Sequence, residues 1–361
     1  MFTHALIRIR KVFIVLIFTT AMSTIGGISQ VCAGVKDEAV LVILSARKEP
    51  LVQPVIDLFQ EQTGIKVVLK SGQSPALSQQ ILQELPHSSA DIFLAKEVGA
   101  LEYLRLKDAL EVYQSEATKQ IPPQFTASDG TWIGVSGRAR AIIYNKDLVK
   151  EADVPRKLAD LFDPKWKGKI AATNAGNESI VAWVSALRLK LGEEKTKDIL
   201  LQLKANDIRL LSDSHTDVRK AVGRGEYSLG LINHYYYHLQ KHETDPAITN
   251  VGIVYLDQGP DEQGELVNVA GAAIVKGAPH LSHAQKFMDF LVSTQVQKLF
   301  AEVNFEYPLV AAVETHPEVL ESVSCRSASM LDCLHKMDVD LDKLGSMVEE
   351  TTRLLDEVQW N

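Results

Sequence analysis

Val40-Leu41-Val42-Ile43-Leu44, then Ser45-Ala46-Arg47-Lys48-Glu49-Pro50, then Leu51 to Gln62, Thr63-Gly64 and Ile65 to Leu69 read as strand, turn, helix and strand. The opening run is short and apolar, and the six residues after it are turn-prone. Leu51, Val55, Leu58 and Phe59 recur at helical spacing. Gly64 closes that helix, because glycine takes the left-handed cap position without strain. Ile65 to Leu69 is rich in β-branched residues and reads as the next strand. The rhythm continues with a helix over Ala76 to Glu84, a strand over Asp91 to Leu94 and a helix beginning at Ala100. Such alternation predicts a mainly parallel sheet flanked by helices. Ligands of these sheets bind at the carboxyl ends of the strands. Arg47 and the Lys96-Glu97 pair each follow a strand, which puts them at that edge.

A second α/β block follows Trp132. Ala141 to Tyr144 reads as a strand, and Ile180 to Leu191 as a helix with Val184, Leu187 and Leu191 on its apolar face. Ser228 to Ile232 is a short strand running into Asn233-His234-Tyr235-Tyr236-Tyr237-His238, and Val267 to Val275 is β-rich. Helices dominate from there on, and the final third is expected to return onto the first block. At 361 residues the chain is too long for one small core, so two lobes are expected. A cleft between lobes lets a hinge close over a ligand.

Composition narrows the function classes. The chain is 46% hydrophobic and 23% charged, with a net charge of −8. That is globular composition, and nothing in it favours nucleic acid. Residues 1–33 have the layout of a secretory signal peptide: Arg8, Arg10 and Lys11, an apolar run over Val12 to Ile28, and Val31-Cys32-Ala33 before a cut ahead of Gly34. The competing reading is an uncleaved anchor, which the Thr and Gly residues late in the run oppose. A lipoprotein site at Cys32 is poor, because Val31 is not small. No later stretch reaches the roughly 20 apolar residues of a membrane span. With Cys32 removed, Cys325 and Cys333 remain, and an oxidising compartment makes a disulfide their natural state. The alternative is two buried thiols.

The residues that could carry chemistry are few. No phosphate-binding glycine loop, nucleophile elbow or marked carboxylate pair is present. Tyr235-Tyr236-Tyr237 has two readings. One is an aromatic packing patch. The other is a site for a hard cation such as ferric iron, which prefers anionic oxygen and displaces the phenol proton. In a regular strand neighbouring side chains point to opposite faces, so the second reading requires the backbone to leave strand geometry there. His234 and His238, four apart, suit zinc only on a continuous helix. They are expected to be exposed or capping.

Several stretches together resemble the periplasmic ferric-ion-binding proteins of bacterial iron ABC importers. They are Leu44 to Glu49, Thr63 to Val67, Ala90 to Phe93, Ser136 to Arg140 leading to Ile143 to Lys146, Asp163 to Lys169, Leu231 to Tyr237, Val267 to Ala272, and Leu354 to Trp360. The resemblance spans nearly the whole chain after the leader. It implies an α/β, two-lobed type II periplasmic-binding-protein fold, each lobe a mixed, mainly parallel sheet flanked by helices, with two crossover strands near Gly134 to Arg140 and Val267 to Ala273. The expected division is 1–33 signal peptide, 34–137 with 268–361 as the N-terminal lobe, and 138–267 as the C-terminal lobe.

The same resemblance implies capture of ferric iron as cargo and delivery to an inner-membrane ABC permease with its ATPase, from the periplasm, by a monomer with no enzymatic turnover. Tyr235 and Tyr236 match the family's paired ligands, and Tyr237 becomes a packing residue. This chain lacks the histidine that some members supply from the Arg47-Lys48-Glu49 loop. Lys96 stands where others have a glutamate, and Glu178 where others have a third tyrosine. Glu178 is the expected third ligand, with a helix-start carboxylate as its bland alternative. Two phenolates and Glu178 would neutralise the ion, and Arg47 and Arg138 would bind carbonate or another synergistic anion, unless they are structural ion pairs. The rival readings are an organic or phosphorylated anion on the same fold and, further off, an enzyme on it.

Overall fold

The computed structural model describes residues 39–361. The leader and Cys32 lie outside the described residues. Among the described residues ten strands build the sheet: β1 (Val40–Ser45), β2 (Lys66–Ser71), β3 (Ile92–Ala95), β4 (Leu110–Glu111), β5 (Ile133–Asn145), β6 (Ile170–Ala172), β7 (Arg209–Leu210), β8 (Leu229–Asn233), β9 (Val251–Val254) and β10 (Val267–Val275). The first unit forms as the sequence predicts. The helix Gln53–Thr63 ends on Gly64 with φ of 69°, and β1 pairs in parallel with β2 and β3. β8, β6 and β7 are likewise parallel, as helical crossovers demand.

Two antiparallel strands join the halves. β5 runs beside β10 from Ile133 to Ala139, and from Arg140 onward beside β8 and β9. β10 in turn pairs with β3. One thirteen-residue strand therefore serves two sheets, and the change of partner falls between Ala139 and Arg140. All of β5 is buried. Arg138 and Arg140, two apart, project to the same face.

Packing then fixes the helices. Gly230 lies where a Cβ would come within 2.9 Å of Val218 and Val222 and 3.0 Å of Ile143. Its missing side chain lets the helix His215–Gly223 seat on β8. The final helix, Leu344–Glu357, differs from expectation in touching both halves. Gly345 abuts Glu102 of the helix Val98–Leu106, while Thr351 meets Ser185 of the helix Glu178–Leu191 at 2.8 Å. Trp360 is fully buried, and its indole N–H donates to the Thr173 carbonyl at 3.1 Å. Cys325 and Cys333 are joined as a disulfide. No helix among the described residues is long and apolar enough to cross a membrane.

Candidate metal centre

β8 stops at Asn233, and the helix Tyr235–Lys241 begins two residues later. This abrupt change lets adjacent tyrosines act together. Side chains that would oppose each other on a strand stand only about 100° apart on a helix. The rings of Tyr235 and Tyr236 lie with centroids 4.4 Å apart, tilted by 31°. Both are buried. Burial pushes the Tyr235 phenol well above its usual range, and the neighbouring Tyr236 adds to this while Arg138 opposes it. Tyr237 turns aside into packing against His238 and beneath Lys241.

The turn is held by His234, which is fully buried. Its Nδ1 accepts from the Ala139 amide at 3.2 Å, and its Nε2–H donates to the Phe305 carbonyl at 2.8 Å. The ring stacks on Tyr307 at 4.0 Å. Burial holds its imidazole neutral, as it does His238, whose value falls to about 4. His238 is also fully buried, with Nδ1 at 2.8 Å from Glu318. The expectation of exposed or capping histidines is therefore corrected. They fill the space behind the tyrosines: His234 has both ring nitrogens satisfied, while His238 pairs through Nδ1 and leaves its buried Nε2 without a partner. Among the described residues no cluster of His, Cys, Asp and Glu could hold a metal.

Tyr235 and Tyr236 line a cavity of about 540 Å³ whose wall also carries Arg47, Lys48, Lys96, Glu97, Arg138, His215 and Glu306. The loop ends of β1 and β3 meet the helix starts after β6 and β7 here. Arg47 is already matched: it donates to Glu306 at 2.6 Å and to Ser136 at 3.1 Å. Burial raises the Glu306 carboxyl, but Arg47 and Arg138 outweigh it and hold it below the usual range. For Arg47 the alternative reading, a structural ion pair, is the one the geometry favours. Arg138 is different. It is buried, with one Nη donating to the Lys96 carbonyl. Its Nε and other Nη have no partner. Such orphaned buried donors are costly, and an oxyanion would satisfy them.

His215 and Glu306 were missed by sequence reasoning. His215 opens its helix after the Ser214 cap, and Arg140 donates to its Nε2 at 3.3 Å. Arginine cannot accept, so the proton of the neutral ring sits on Nδ1, which is buried without a partner. Glu306 follows Phe305, whose left-handed backbone (φ of 57°) ends the helix Thr294–Asn304. Neither lies near a motif, and only the fold brings them in.

Glu178 is placed otherwise than expected. It stands at the start of its helix but is not part of the cavity wall. Lys96 binds one carboxylate oxygen at 3.0 Å, and Ser74 donates to the other at 2.7 Å. Both of its oxygens are thus engaged by groups other than the tyrosine wall. Glu97, beside it, accepts from Ser179 and Asn268, and burial raises its carboxyl despite the nearby Arg138.

Residues 87–329 match the family model described as bacterial extracellular solute-binding protein. The chain belongs to this family. This solute-binding protein is 33% identical over 307 residues to iron uptake protein A1 of Synechocystis, covering 84% of this chain and 82% of the relative. It is 31% identical over 281 residues to the Fe(3+)-binding periplasmic protein of Serratia marcescens, covering 78% and 82%. Among solved structures, that of a Trichodesmium protein in complex with iron and citrate ligands aligns with a TM-score of 0.76 at 29% identity, over 89% of this chain and all of that one. The two-lobed fold of the solute-binding protein, with β5 and β10 crossing between lobes, agrees with these relatives.

Proposed function

We propose that this solute-binding protein captures ferric iron in the cavity between its lobes and delivers it, from the periplasm, to an ABC permease driven by its ATPase. It works as a monomeric carrier without turnover. Tyr235 and Tyr236 supply the protein oxygens. The observation that carries this reading is the pair of buried phenols, ring centroids 4.4 Å apart, on one wall of the cavity. A trivalent cation stabilises the phenolates that burial disfavours, so the site is poised for a strong Lewis acid. The names and ligands of the relatives support the cargo.

Two phenolates leave one positive charge on the ion. With Glu178 engaged elsewhere, a carbonate or other oxyanion meets that charge and takes the orphaned donors of Arg138. The lobes are 34–137 with 268–361, and 138–267, and the hinge lies beside the change of partner in β5.

The test is addition of ferric citrate to purified, metal-free protein. A visible phenolate-to-iron band is expected. Tyr235→Phe with Tyr236→Phe abolishes the band and the binding, while circular dichroism stays unchanged. Full affinity in that double variant would show that the ion, if bound, sits elsewhere.

A further inference from the structure

Lys96 and Glu97 follow β3 of one half, and Ser74 opens the helix after β2 in the same half. Glu178 and Ser179 open the helix after β6 in the other half. The two sets meet directly, side chain to side chain. Lys96 Nζ is 3.0 Å from Glu178 Oε1. Ser74 Oγ donates to Glu178 Oε2 at 2.7 Å. Ser179 Oγ donates to Glu97. Gln73 accepts from Lys96 at 3.1 Å and steadies the ammonium. Asn177 caps the helix start, its side chain accepting from the Ser179 amide at 2.9 Å, so the partner of this clasp is rigid.

We propose that Lys96, Ser74 and Glu178 form a latch, made by protein side chains alone, that favours closure of the two halves independently of cargo. The pair lies at the rim, with about a third of the lysine and a fifth of the glutamate side chain exposed. Water there limits its strength, so it biases closure without locking it. The latch joins elements on opposite sides of the hinge strand, the geometry needed to shift a two-state domain equilibrium. Affinity for cargo then includes less of the cost of closing, because part of that cost is met in the empty protein.

The experiment is small-angle scattering on metal-free protein, which reads closure whatever the cargo is. The expected result is a compact wild type, an expanded Lys96→Glu variant in which like charges face each other, and a compact Lys96→Glu/Glu178→Lys exchange. Lys96→Met, which removes the charge and its donors, lowers the closed-to-open ratio up to about fivefold, the range for a partly exposed ion pair. Circular dichroism and melting confirm that each variant is folded. An expanded metal-free wild type overturns the proposal. So does scattering of folded Lys96→Glu and Lys96→Met identical to wild type, or a folded exchange variant that stays open. Ferric citrate added afterwards tests the iron reading separately, by its visible band.

Discussion

Tyr235 keeps its proton in the empty protein, because burial and the adjacent Tyr236 push its phenol well above the ordinary range. Iron must therefore displace at least that proton on binding. The sign follows: more acid favours the protonated, metal-free form. Affinity should fall at least about tenfold for each unit of pH decrease. A competition titration with a chelator of known pH dependence between pH 8 and 6 checks this, and a flat profile would contradict phenolate ligation. The tyrosines were legible because they are adjacent and of a rare type. Arg138 was legible only through the resemblance. His215 and Glu306 were not legible, since a lone histidine at a helix start and a glutamate after a helix carry no local signature. Glu178 misled because a carboxylate at a helix start looks alike whether it meets a metal, a dipole or a lysine.

The βαβ unit at Val40 to Leu69 was readable from periodicity and the Gly64 cap, because local propensity and tertiary pairing agree there. β5 was not. Periodicity marked only Ala141 to Tyr144, since Gly134 and Gly137 are poor strand formers, and the stretch from Gly134 to Arg140 was expected only through the resemblance. Pairing with β10 on one stretch and with β8 and β9 on the next overrides that preference. Gly230 shows a similar tertiary constraint. Gly230→Ala inserts a methyl against Val218, Val222 and Ile143, all stiff β-branched side chains. It should cost about 1–3 kcal/mol by overpacking. Urea denaturation measures this, and an unchanged midpoint would mean the helix His215–Gly223 can move away freely.

The two-lobed architecture was foreseen from length and the repeated α/β rhythm, but the strap formed by Leu344–Glu357 across both halves was not, because amphipathicity names a face and not its partners. Stability of the assembled protein also depends on Glu265. Burial raises its carboxyl to about 8, despite Arg140, and one of its oxygens has no partner. Between the ordinary value of 4.5 and about 8 the unfolded chain ionises while the folded one holds its proton. Stability from this group is therefore lost as pH rises through that window. Glu265→Gln should remove the loss, gaining on the order of 1–3 kcal/mol relative to wild type at pH 8 and little at pH 4.5. Urea midpoints of both proteins at the two pH values test it, and equal differences at each would refute it.

The shared strand bears on any attempt to dissect the molecule. β10 lies between β3 and β5, yet it arrives in sequence after the whole second block. A fragment ending before Val267 would lack that strand and leave β3 and the first stretch of β5 with unpaired edges, an invitation to intermolecular pairing. The excised second block would keep the stretch of β5 paired with β8 and β9 but lose most of the stretch paired with β10. The protein must therefore be synthesised through residue 275 before its first sheet can be completed, and until then a nascent chain carries an open template for aggregation.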